Sequence, residues 1–174
     1  MGKSGIVGLI CCGVSLILTV VSTALPYWVQ YKKSNYVATS GLWMYCSKGY
    51  EEEEAQCREI KVVQEYYLAV RALVLMGLSM AAIANVLGFV GILVIPQIKN
   101  ISLVAGYISI TAGICMLTGA IVFAGRTSYL AKGYFVQFHV GFPFSLVAGI
   151  VGIVAGRLFI RAMPFEENQS NNPL

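Results

Sequence analysis

The chain has 174 residues, of which 57% are hydrophobic and only 11% charged, with a mean hydropathy of +0.74 and a formal net charge of +4. Ordinary globular domains hold about 25% charged residues, so this composition, gathered into long uncharged runs, is that of an integral membrane protein. With no Asp and with His139 as its only His, the chain cannot build a Ser-His-Asp relay or an aspartic dyad, and it lacks a zinc-type Cys/His cluster, a nucleotide-binding glycine loop and a basic stripe for nucleic acid.

Four uncharged segments have the roughly 20-residue length that a membrane-spanning helix needs. The first covers residues 5–26. Lys3 before it resembles the start of a signal peptide, but the apolar run exceeds the roughly 7–15 residues of a signal core, so it is read as a retained span. Cys11 and Cys12 within it behave as small apolar residues, with palmitoylation near the cytoplasmic end as the alternative.

Loop 1, about residues 27–71, is the long connection. Its pattern is Trp28, then Gly41-Leu42-Trp43, then Cys46 and Cys57. Aromatic and β-branched residues separated by polar turn residues predict short strands, with a turn at Lys32-Lys33-Ser34-Asn35. A cysteine pair outside the hydrocarbon predicts a disulfide and hence the oxidising side of the membrane. Closing so short a loop contributes roughly 2–4 kcal/mol. Glu51, Glu52, Glu53 and Glu54 form the tip of the pinned hairpin. They are read as a solvated tip rather than as a charge-selective element that attracts cations. Gly41 permits a backbone geometry or a close approach that a side chain would block, and Leu42 and Trp43 anchor the sheet on the helices or the bilayer. Arg71 either snorkels at the interface or bonds strand carbonyls and fixes the sheet to the bundle.

The second span is 72–98, the third 101–125 and the fourth 133–156, joined by a tight turn at Pro96–Asn100 and by loop 3 near 126–136. Asn85 is the sharpest polar residue within a span and is read as an interhelical hydrogen-bond former rather than part of an ion path. Cys115 is a small apolar residue, and His139 lies at the interface near the start of span four. Gly152 and Gly156 have GxxxG spacing, extended by Gly141, Ser145 and Gly149, which predicts close helix packing within the bundle. Residues 163–174 read as a disordered cytoplasmic tail, so the sequons at Asn100 and Asn168 are expected to be unused.

Two rules disagree on orientation. A Lys/Arg count would put loops 1 and 3 in the cytoplasm. The cysteines put them outside, and the reading follows the cysteines because loop 1 is expected to be a folded unit.

At the residues Trp28, Gly41-Leu42-Trp43, Cys46, Cys57 and Ala69-Val70-Arg71-Ala72-Leu73, the chain resembles the superfamily of claudins, epithelial membrane proteins, peripheral myelin protein and lens fibre membrane intrinsic protein. The local likeness is greatest to the lens fibre type, in Trp28-Val29-Gln30-Tyr31 and Gly41-Leu42-Trp43-Met44-Tyr45-Cys46. The resemblance implies a left-handed bundle of four transmembrane helices over residues 1–162, with a small extracellular antiparallel sheet from loop 1. It implies a plasma-membrane protein of cell–cell contacts, acting in adhesion, junction or barrier organisation. Both termini would be cytoplasmic. Partners would be the lipid bilayer and membrane proteins in cis or trans, as homo- or hetero-oligomers. Alternatives are an auxiliary subunit of a channel or receptor and a paracellular barrier or pore component of tight junctions. The ending Asn172-Pro173-Leu174 does not match what PDZ-type scaffolds take. No enzyme activity, cofactor, metal or nucleic acid is expected.

Overall fold

A computed structural model of the chain describes residues 3–33, 36–49, 54–61, 64–95, 99–130 and 135–162. The Ser34-Asn35 turn, Glu51, Glu52, Glu53, residues 96–98 and the tail with Asn168 lie outside the described residues. In chain order the elements are α1 (Lys3–Ala24), β1 (Val29–Lys33), β2 (Tyr36–Ser40), β3 (Met44–Gly49), β4 (Gln56–Glu59), α2 (Glu65–Phe89), α3 (Lys99–Leu130), β5 (Phe135–Phe138) and α4 (Gly141–Arg161). A π-helical turn, Val90–Val94, continues α2, with the Ile95 amide donating to the Val90 carbonyl at 2.8 Å. Among the described residues four helices are long and apolar enough to cross a membrane, and the chain is a multi-pass membrane protein.

α1 packs on α4, α4 on α3 and α3 on α2, while α1 and α2 meet more lightly. At the end away from the sheet the helices finish level, since Gly5 of α1 lies against Ile92 and Ala162. The extra length of α2 and α3 therefore projects at the sheet end. Spans of 30 residues reach about 45 Å against roughly 30 Å of hydrocarbon.

Three spans differ in extent from the sequence reading. α2 begins at Glu65 rather than 72, and α3 runs over Lys99–Leu130 rather than 101–125. A charge such as Arg71 does not end a helix that has already left the hydrocarbon. The fourth helix starts at Gly141, not at residue 133. Phe135–Phe138 is instead a strand at the sheet edge, with Val136 packed on the core and Phe135 and Phe138 exposed. The sheet thus has a strand from loop 3 beside the four from loop 1, in the order β4-β3-β2-β1-β5, with every pair antiparallel.

Glycine sets the α3–α4 distance. A Cβ on Gly113 would stand 2.5 Å from the Gly149 carbonyl oxygen, and one on Gly156 would stand 2.5 Å from that of Gly106. Backbones this close forgo side chains at the seam and gain dispersion contact. Gly152 lies between both neighbours, with its Cβ position 3.0 Å from the Ser15 hydroxyl of α1 and 3.6 Å and 3.7 Å from Ser109 O and Gly113 Cα of α3. The face α4 offers to α3 therefore runs through Gly149, Gly152 and Gly156, and Gly152 also serves the junction with α1. Buried hydroxyls complete the packing by donating to α4 carbonyls. Ser15 donates to Ala148 at 2.8 Å, Ser109 to Gly152 at 2.8 Å and Ser22 to Gly141 at 2.7 Å.

The substitution Gly156→Val should force α3 and α4 apart and destabilise the bundle by about 1–3 kcal/mol, lowering the thermal unfolding midpoint in detergent. Gly125→Ala, where an added Cβ meets nothing within 4 Å, should leave that midpoint unchanged.

Candidate functional site

The last carbonyls of a helix have no partner within it, and at a membrane boundary they must find one nearby. α1 solves this with the chain that follows it. The Leu25 amide takes the Val21 carbonyl at 3.0 Å. The indole N–H of Trp28 takes the Ser22 carbonyl at 2.7 Å, and that of Trp43 takes the Thr23 carbonyl at 3.0 Å. Both tryptophans of the chain are thus donors to the same helix end.

Trp28 is fully buried. Its backbone N–H donates to Ser40 at 3.0 Å, and its carbonyl accepts from His139 at 3.0 Å. Its ring meets Phe123 of α3 edge-on at 5.1 Å. Room for that ring comes from Gly141, where a Cβ would lie 2.5 Å from Trp28 Cδ1. The Gly141 amide donates to the Tyr27 carbonyl at 2.9 Å, which ties the start of α4 to the same corner.

Gly41 sits where β2 passes over the end of α1, and a Cβ there would fall 2.6 Å from Pro26 Cα. Leu42 is fully buried, and its carbonyl accepts from Arg71 Nε at 2.8 Å. The Arg71 guanidinium lies 4.8 Å over the Trp43 ring, a cation–π contact. The structure brings Trp28, Gly41, Leu42, Trp43 and Arg71 into one junction between sheet and bundle. Of the two roles left open for Arg71, it makes the bond to a sheet-side carbonyl.

Ser40, Tyr67, Phe123, His139 and Gly141 also belong to this junction, and the sequence reading did not single out their roles. Ser40 and Tyr67 share a hydrogen bond at 2.8 Å, and Tyr67 meets Phe123 edge-on at 5.8 Å. His139 faces Gln30 at 3.3 Å between Nε2 and Oε1. Pro143, in the first turn of α4, was the available signal that the helix begins near Gly141, because Pro is tolerated there and not further in. Burial between sheet and bundle, helped by the nearby Tyr67 phenol, pushes the Tyr31 phenol up to about 12, the mark of a dry seam.

Cys46 and Cys57 form a disulfide between directly opposed positions of β3 and β4, with Cα atoms 4.0 Å apart. β4 is exposed along its whole length, so its hold on the sheet comes from β3 and the covalent bridge rather than from burial. Of the acidic run, Glu54 is described, and it is exposed. Gln30, Lys32, Val37, Thr39, Cys46 and Lys48 share the sheet face turned from the bundle, with Lys32 and Lys48 exposed. Among the described residues, no three His, Cys or Glu side chains come together as a metal site.

Comparison with known proteins agrees with this architecture. The family described as PMP-22/EMP/MP20/Claudin matches residues 4–159. The bovine (Bos taurus) lens fiber membrane intrinsic protein is 30% identical over 132 residues, covering 73% of this chain and 72% of its own length. The human (Homo sapiens) protein of the same name is 27% identical over 132 residues, with the same coverage of 73% and 72%. The rat (Rattus norvegicus) protein is 51% identical over 39 residues, 22% of each chain.

Trp43→Phe keeps a ring under Arg71 but removes the donor to Thr23. It should cost about 1 kcal/mol, read as a lower unfolding midpoint in detergent. Trp28→Phe should cost more, because it also leaves a gap in a fully buried site.

Proposed function

The chain belongs to the PMP-22/EMP/MP20/Claudin family, and from that premise we propose that it is a non-enzymatic plasma-membrane protein of cell–cell contacts. It presents a disulfide-pinned sheet to membrane proteins on the same or the opposing cell, as part of homo- or hetero-oligomers. The observation that carries this reading is the way the sheet is mounted. Its inner face is fixed to the bundle through Trp28, Trp43 and Arg71, while β4 and the Lys32 and Lys48 positions of its outer face stay exposed. A rigid platform with an open face is what a contact surface needs, because little ordering entropy is then lost on binding.

In this reading the sheet lies outside the cell and both termini lie in the cytoplasm. The Cys46–Cys57 disulfide supports it, since such bonds persist on the oxidising side. Arg157 and Arg161, both exposed at the far end of α4, then face the anionic cytoplasmic leaflet. The basic residues that oppose this orientation include Lys32, Lys48 and Arg58, which sit on a folded sheet. The positive-inside count over this loop opposes the orientation, and the disulfide outweighs it because such bonds persist only where thiols are oxidised.

Two measurements test the reading. A membrane-impermeant thiol reagent applied to intact cells should label Cys46 and Cys57 only after reduction; labelling without reduction contradicts the disulfide, and none after it contradicts the topology. A tagged protein expressed in contacting cells should concentrate at contacts relative to free membrane, and Cys46→Ser should diminish that enrichment. A uniform distribution of the wild-type protein around the cell would sink the contact reading.

A further inference from the structure

The far end of α4 carries two arginines. Arg157 and Arg161 are both exposed and four residues apart, so they are neighbours on one helix face. Leu158 lies against Gly8 of α1, and Ile160 lies against Gly106 of α3. The arginines therefore stand on the side of α4 turned away from both packed neighbours. Val147, Ile150 and Val154 continue that face toward the sheet, and all three are exposed. The lipid-facing side of this span is an apolar stripe headed by two guanidinium groups.

The described charges at this end share one sign. Among the described residues the acids are Glu54, Glu59 and Glu65, which belong to the sheet end. Lys3 and Lys99 open α1 and α3 at the same end as the arginines. The free carbonyls that close α4 amount to about half an elementary negative charge, well short of two guanidiniums. Depth sharpens the need. α4 has 21 residues, about 30 Å, which matches the thickness of the hydrocarbon. Arg157 lies about 6 Å further in than Arg161. Its Cα–Cβ bond tilts toward the start of the helix, so the side chain bends back along α4 to reach the headgroups. That brings its guanidinium to the level of Arg161, where one anion can meet both. Left unpaired at the edge of hydrocarbon, the two charges are costly.

Charge balance selects the headgroup. A phosphodiester brings a single negative charge and two unesterified oxygens. A phosphate monoester brings about −1.5 to −2 at pH 7 and three oxygens, which suits two guanidiniums that each bind through paired N–H groups. We propose that Arg157 and Arg161 bind a phospholipid whose headgroup ends in a phosphate monoester, with an acyl chain lying along Val154, Ile150 and Val147. Both guanidiniums donate to the phosphate oxygens, and the phosphate sits between them. In the orientation proposed above the lipid belongs to the cytoplasmic leaflet. The site itself depends neither on that orientation nor on what the sheet binds.

The test uses the full chain in phosphatidylcholine vesicles, with Cys11, Cys12 and Cys115 replaced by Ala and a bimane fluorophore attached at Val154→Cys. Lipids with brominated chains quench the fluorophore on contact. Brominated phosphatidic acid should quench at about a five- to thirtyfold lower mole fraction than brominated phosphatidylcholine, with brominated phosphatidylserine between them. Arg157→Gln with Arg161→Gln should abolish that advantage. Quenching by phosphatidylcholine should stay unchanged in this variant, the sign of an intact bundle. Lys3→Gln with Lys99→Gln removes the same charge from the same end and should leave the advantage in place. An advantage that survives loss of the arginines overturns the proposal. So does its absence before any substitution of the arginines, the outcome if Glu166 or Glu167 of the tail occupies them. An equal loss with the lysines would mean a diffuse field, and equal quenching by phosphatidylserine would mean charge without recognition of the monoester; either result overturns it too.

Discussion

The end of α1 is the constraint on which the sheet end of the molecule depends. A helix leaving the hydrocarbon exposes carbonyls just where water becomes scarce and lipid offers no donor. Here the donors are two indoles from opposite ends of the first hairpin, Trp28 ahead of β1 and Trp43 beyond β2. The hairpin must form for both to arrive, and the helix end must be in place for their N–H groups to be satisfied. Gly41 lets the returning strand cross at contact distance, and Arg71 closes the arrangement by holding Leu42 and covering Trp43. Sheet and bundle are therefore one cooperative unit rather than a decoration on a membrane domain.

Within the bundle the same scarcity of donors is met differently. α4 meets α3 through glycines and accepts hydroxyl hydrogens on its backbone from Ser15, Ser22 and Ser109. Small residues allow the approach, and the serines lie on α1 and α3, so α4 is fastened from two sides. α2 is packed on α3 but touches α1 lightly, with Asn85 as a bridge. The bundle thus has one loosely closed side.

Much of this was legible in the sequence, and the exceptions share a physical reason. Uncharged length reveals spans, and alternation with turn residues reveals the strands of loop 1, because both signals are local. Phe135–Phe138 was absorbed into a span because apolarity alone does not distinguish a lipid face from a sheet edge that closes over a core. Arg71 bounded the second span because a charge ends an uncharged run, whereas the helix itself runs on to Glu65. GxxxG spacing drew notice to Gly152 and Gly156, but what each meets, Gly106 for Gly156 and both Ser15 and Ser109 for Gly152, only the neighbouring helices determine. The junction motif was legible as a set of residues, whereas the indole-to-carbonyl bonds that explain both tryptophans are long-range geometry.

The edge strand β4 can also be viewed mechanically. Antiparallel strands pulled apart from one end open like a zipper, one hydrogen bond at a time, and an exposed edge strand resists such peeling poorly. The Cys46–Cys57 bridge interrupts that sequence with a covalent link. Tension applied to β4 passes along the chain into α2, which begins at Glu65, and across the bridge into β3 and on through Trp43 and Arg71. A strand that looks like the weakest part of the sheet is thereby made a handle by which traction reaches the membrane.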